Sequence, residues 1–250
     1  MALQITSLYF VGGLSSRNLS TVEQSLIDAP PPGRGYWVRN GNWGFVTGAM
    51  RYFGLQGSSW RNVCKFTSEP FGFVDHRMRT GVDHLDPLGR KYRGIRQYTS
   101  YMWDQNFGIT GPGQGVVVIT HSMGAAYSMG LMEKMHGRGI PIAMAVHINP
   151  FQPASGACTP SRDFHVHVQT DNDIVTRDVP LFGSPVLDIV NLFEGVIKQP
   201  GWIAGAKPIM RPGPFNPTQA HYGPISDGEA FWFPNGARAA FGHDHYDHSP

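Results

Sequence analysis

Residues 115–136 read GVVVITHSMGAAYSMGLMEKMH. Val116 to Ile119 form an apolar, β-branched run without polar alternation, the pattern of a strand buried on both faces of a parallel sheet. From there the period changes. Met123, Ala126, Tyr127, Leu131, Met132 and Met135 follow helical spacing, and Gly137 supplies a stop signal. Ser122 therefore falls at a turn between a strand and a helix. A sharp bend of this kind lifts a hydroxyl above the sheet and requires small neighbours. Thr120 to Gly124 match G-x-S-x-G at Ser122 and Gly124, with Thr120 where the pattern has its first Gly. Gly124, Ala125, Ala126, Ser128 and Gly130 give the helix a small face able to lie close against the strand. The plainer reading makes Ser122 the N-cap of an ordinary strand-to-helix crossover.

The chain has 250 residues, enough for a sizeable core, and residues 1–250 read as a single domain. A formal net charge of +2 with 15% charged residues creates no strong field, which disfavours nucleic acid and anionic membranes as partners. With 31 glycines and 20 prolines, many loops are expected. Cys64 and Cys158 have neither the spacing nor the context of a metal clip. The opening MALQITSLYFVGG has no basic segment and only a short apolar one, and no run approaches membrane-spanning length. The expectation is a soluble protein, cytoplasmic or exported without a secretory leader, with no integral membrane segment.

Residues 5–11 (ITSLYFV) read as a strand feeding a Gly12-Gly13-Leu14 turn, and residues 20–29 open with a capping-box pattern, Ser20 to Glu23. From 30 to 112 the period is lost among glycines and aromatics that include Trp43, Phe45, Tyr52 and Phe53, the composition of a large irregular cap or insertion. Within it, residues 63–66 read as a strand and 88–104 as a helix whose basic run, Arg90, Lys91, Arg93 and Arg96, forms a solvated face. Residues 140–149 (IPIAMAVHIN) and 164–170 (FHVHVQT) read as strands, the second running into Asp171-Asn172-Asp173. Residues 186–198 have helical spacing, and no element is assigned from Gly201 onward.

A serine is a poor nucleophile near neutral pH and needs an imidazole, which in turn needs a carboxylate to set its tautomer. Asp173, with Asp171 as runner-up, follows a strand on the edge where functional groups collect in such sheets. THSMG after a valine-rich strand, followed by NDIVTRDVP after a later one, resembles the α/β-hydrolase lipase and esterase superfamily over residues 115–180. Thr176 stands where that group has Pro. The resemblance implies a mostly parallel, doubly wound sheet, Ser122 as nucleophile and Asp173 as acid, with no cofactor. It also implies an oxyanion hole from the Met123 amide and a glycine-loop amide near Gly13 and Leu14. The base follows the acid in this fold. His221 is the first choice and His243 the second, while His121, adjacent to Ser122, reads as structural.

The terminal run His243-Asp244-His245-Tyr246-Asp247-His248 resembles by spacing the H-x-H-x-D-H ligand pattern of the metallo-β-lactamase superfamily. The chain given ends two residues later, without the further ligands of that pattern, so no metal is assigned. The expected activity is that of a serine hydrolase cleaving small-molecule or lipid carboxylic esters through an acyl-enzyme. The alternatives on the same fold are a thioesterase, an acyltransferase and a secreted toxin-like lipase, the last because Asp86 to Arg90 resemble repeats of polymorphic bacterial toxins. The rival from another class is a non-catalytic binding domain.

Overall fold

The valine run forms an interior strand of the sheet, paired with a neighbour on each side. The structure, a computed structural model, describes residues 4–12, 43–55, 87–97, 113–160, 163–173 and 201–233. Five strands, β1 (Gln4–Val11), β2 (Gln114–His121), β3 (Ile142–Ile148), β4 (His165–Thr170) and β5 (Lys207–Arg211), form one sheet in the order β1-β2-β3-β4-β5, and every neighbouring pair is parallel. The helices are α1 (Trp43–Tyr52), α2 (Pro87–Gln97), α3 (Gly124–Gly137), α4 (Pro217–Ser226) and the short α5 (Glu229–Trp232). The protein is an α/β protein.

Strand alternation divides the apolar side chains between two clusters. Val117 and Ile119 join Leu8, Phe10, Val146 and Val168 in a cluster with Phe45, Val46 and Ala49 of α1 and Phe231 and Trp232 of α5. Val116 and Val118 join Tyr9, Val11 and Ala145 with Ala125, Ala126, Leu131 and Met135 of α3. Both faces of β2 are thus covered, which is why its sequence shows no alternation. Each fully buried valine or isoleucine there contributes about 1.5–3 kcal/mol relative to exposure.

Several expectations change here. Phe45 and Phe53, read among the cap aromatics, are core residues; Phe45 packs against Trp232 with ring centroids 5.2 Å apart. The 88–104 helix is described over Pro87–Gln97, and its basic face is not wholly solvated. Arg90 is buried, donating to Gln152 Oε1 at 2.5 Å and lying over the Phe151 ring, whereas Lys91 pairs with Glu133 of α3 at 2.9 Å. The segment after Gly201 holds β5 and two helices. The expected helices at 20–29 and 186–198 and strand at 63–66 lie outside the described residues, as does most of the expected cap.

The small face of α3 serves two contacts rather than one. A Cβ on Gly124 would lie 2.4 Å from Val11 O and 2.5 Å from Gly12 O, at the end of β1. A Cβ on Gly130 would lie 2.0 Å from Lys91 O, and one on Gly94 2.1 Å from Tyr127 O. Gly124 lets the helix start against the sheet, and the other two let α2 cross α3 at backbone contact.

Candidate active site

Ser122 follows β2 directly and has φ 56°, the left-handed region that side-chain-bearing residues rarely adopt. Its backbone is held on three sides. Ser122 N donates to Ile148 O at 3.1 Å, and Ser122 O accepts from Ala125 N at 3.2 Å and Phe151 N at 3.1 Å. The strained turn is thus tied to the end of β3 and to the start of α3, whose N-terminal dipole end faces the same place. Met123, at the cap of α3, has its N–H without an acceptor among the described residues. Gly12 is buried beside this turn, and Gly13 and Leu14 lie outside the described residues.

Thr120 occupies the position where the sequence pattern has glycine. It is fully buried, and its Oγ1 lies 2.8 Å from His147 Nδ1 on the neighbouring strand. The larger side chain is accommodated by a polar partner on β3.

The acid and the imidazole meet. His221 Nδ1 donates to Asp173 Oδ1 at 2.8 Å, with the carboxylate fully buried and the ring nearly so. Asp173 Oδ2 accepts from Gln169 Nε2 at 3.0 Å. That amide is itself oriented: Ile203 N donates to His167 Nδ1 at 3.1 Å, so the His167 proton sits on Nε2 and is given to Gln169 Oε1 at 3.2 Å. Burial lowers the His167 pKa to about 4, consistent with a neutral ring. A directed chain of hydrogen bonds therefore ends on Oδ2 of the carboxylate. Asp171, the alternative acid, is exposed, and its amide is bonded to Arg211 O at 2.9 Å. His243, the alternative base, lies outside the described residues, as does the rest of the terminal histidine run.

His221 is delivered by α4. Asn216 caps this helix by accepting from Gln219 N at 3.1 Å, and Pro217 takes the first helical position, where a missing N–H costs nothing. The His221 ring lies against His121, with centroids 4.5 Å apart, and against Tyr222, at 5.0 Å. Burial pushes the Tyr222 hydroxyl up to about 12, with the Asp173 carboxylate adding to the shift. His121 is completely buried, and burial followed by the neighbouring His221 holds its pKa well below the usual value. It is neutral, and its Nε2–H donates to His221 O at 2.8 Å. The partner of His121 is thus the backbone of the imidazole-bearing residue.

Ser122 Oγ makes no hydrogen bond among the described residues. Sequence reasoning missed Gln169 and Asn149, which organise the acid and the imidazole. Their one signal is position, each near the carboxyl end of a strand. Among the described residues no group of three or more His, Cys, Asp or Glu side chains is arranged to hold a metal ion, and no helix is long and apolar enough to cross a membrane. Compared with protein-family models, with curated proteins and with solved structures, the chain matches none of them.

Proposed function

We propose that the protein is a serine hydrolase of carboxylic esters, built on the α/β-hydrolase plan that its motifs resemble. The carrying observation is the buried His221–Asp173 bond at 2.8 Å, with the His221 ring packed on the residue preceding a left-handed Ser122. In this reading Ser122 Oγ attacks the ester carbonyl carbon while His221 Nε2 takes its proton. Asp173 keeps the Nδ1 proton in place and stabilises the imidazolium. The tetrahedral oxyanion is received by the Met123 N–H, with a second donor from the Gly12 to Leu14 turn. The carbon–oxygen bond to the alcohol then breaks, His221 returns the proton to the leaving oxygen, and water repeats the sequence on the acyl-enzyme. The order of the parts supports this plan: serine after β2, acid after β4, histidine after β5. A doubly wound sheet with a cap or insertion contained within 30–112 belongs to the same proposal. Thioester hydrolysis and acyl transfer use the same nucleophile and differ in leaving group or acceptor.

A non-catalytic binding domain is the second reading, favoured by the absence of a bond to Ser122 Oγ among the described residues. Labelling of the intact protein with a fluorophosphonate, located by mass spectrometry, separates the two. One adduct on Ser122, absent in Ser122→Ala and slowed sharply in His221→Ala, is the hydrolase outcome. Folded wild-type protein that takes no adduct and cleaves no short-chain nitrophenyl ester is the binding-domain outcome.

A further inference from the structure

The helix that carries His221 contains a break in its own hydrogen bonding. Pro224 lies inside α4. A proline has no N–H for the carbonyl four residues back, and its ring crowds that carbonyl away from the helix axis. The carbonyl concerned is Ala220 O, and the next along the chain is His221 O. Both are met by buried side chains from the sheet. Asn149 Nδ2 donates to Ala220 O at 3.1 Å and to His221 O at 2.8 Å. His121 Nε2 donates to His221 O as well, at 2.8 Å.

The same Asn149 works in the other direction. Its Oδ1 accepts the Thr170 N–H at 2.8 Å, at the end of β4 and just ahead of the turn that presents Asp173. One amide therefore bridges the two chain segments that bring the imidazole and the carboxylate together. Asn149 is fully buried, so each of these bonds is made away from water, where an unmatched partner is costly. Its backbone, at φ 43°, is left-handed, a conformation asparagine tolerates better than most residues. The side chain and the backbone thus favour asparagine at this position for separate reasons.

We propose that Asn149 is a positioning residue of the active site, fixing the His221 backbone against the Asp173 segment, with His121 as its second support on the same carbonyl. The inference rests on the serine-hydrolase reading. Asn149 touches no reacting atom. It acts through Ala220, His221 and Thr170, and the imidazole-bearing backbone stays against the Asp173 segment only while those bonds hold. Pro224 explains why such a support is needed, since it removes the intrahelical bond that would otherwise hold Ala220 O.

Two substitutions test this. Asn149→Gly keeps the left-handed backbone and deletes the amide. Asn149→Asp keeps an acceptor for Thr170 N but replaces the donor by an oxygen facing two carbonyls. Full-length wild type and both variants are compared by fluorophosphonate titration of Ser122, by kcat and KM on a nitrophenyl ester, and by the downfield imidazole N–H resonance of His221. That resonance is assigned by its loss in His221→Ala. The expected result is a kcat lower by about 10- to 100-fold per titrated serine, with KM within about threefold and the resonance displaced or lost. Counting rate per titrated site removes any unfolded fraction from the comparison. Wild-type kcat and an unmoved resonance in folded Asn149→Gly overturn the proposal, and if that variant does not fold, the same readings on Asn149→Asp decide. Should wild type itself fail to label at Ser122, the hydrolase reading falls separately. The resonance alone then judges the bridge: displaced in the variants, the bridge stands; unmoved, it falls.

Discussion

Gly94 of α2 and Gly130 of α3 face each other's helices so closely that a Cβ on either would sit 2.1 or 2.0 Å from a backbone carbonyl oxygen of the other helix. Backbone cannot yield as a flexible side chain can, so the helices must separate. Gly130→Ala and Gly94→Ala are each expected to destabilise the protein by about 3 kcal/mol or more. Gly137→Ala is the control, because nothing lies within 4 Å of a Cβ there. It should be neutral or stabilising by up to about 1 kcal/mol. Urea unfolding of the three variants checks the contrast.

Removing the negative charge from the buried pair while keeping its shape isolates the role of Asp173. Asp173→Asn offers Nδ2 or Oδ1 to His221 Nδ1 and so allows the wrong tautomer. On the hydrolase reading kcat should fall by about 10³- to 10⁴-fold with little change in KM. Steady-state hydrolysis of a nitrophenyl ester measures it, and a variant retaining half of wild-type kcat would remove Asp173 from the mechanism.

The strain at Ser122 makes a prediction about stability. With φ 56°, a residue bearing a Cβ pays for the left-handed turn and glycine does not. Ser122→Gly should be more stable than Ser122→Ala by about 1 kcal/mol although both lack the hydroxyl. Equal urea midpoints for the two would mean that the turn relaxes in the alanine variant.

Acid should unfold this protein through its histidines. His165 and His167 are buried and shifted down to about 4, and His147 lies well below 6.5, each chiefly through burial. A folded-state pKa below the unfolded one means that the unfolded chain binds more protons between the two values. The stability these rings contribute is fully present above about pH 6.5 and is lost as pH falls toward 4. The loss is at most about 3 kcal/mol for each of His165 and His167. Urea midpoints at pH 7.5, 6 and 5 should fall in that order, and a flat series would show that the rings protonate without leaving their sites.

The apolar run of β2 and the helical spacing of α3 were legible because both record burial directly, and Asp173 was legible because it follows a strand. The late elements were not. β5 is a half-exposed strand containing Pro208, on the edge of the described sheet, where a proline's missing N–H is tolerated. α4 contains Gly223 and Pro224, which break a helical pattern read from sequence, although Asn216-Pro217-Thr218-Gln219 carried a start signal. Phe45 and Phe53 looked like part of a cap because Gly44 and Gly48 obscured the period of α1. Arg90 looked solvated because sequence spacing does not show Gln152 and Phe151 packed beside it.

The pairing of β1 with β2 has a consequence for how the chain reaches this state. Gln4 is in register with Gln114, and their side chains meet across a separation of 110 residues. Contacts that span so much chain form late and slow a domain's folding, because the intervening segment must be brought back before the pairing returns any stability. During synthesis, β1 waits roughly 5 to 20 s for its partner to be made. In that interval its Leu8, Tyr9, Phe10 and Val11 side chains, all buried in the finished sheet, are open to the wrong neighbours. Yield in cells should therefore depend on chaperone supply and growth temperature more steeply than equilibrium stability alone would suggest.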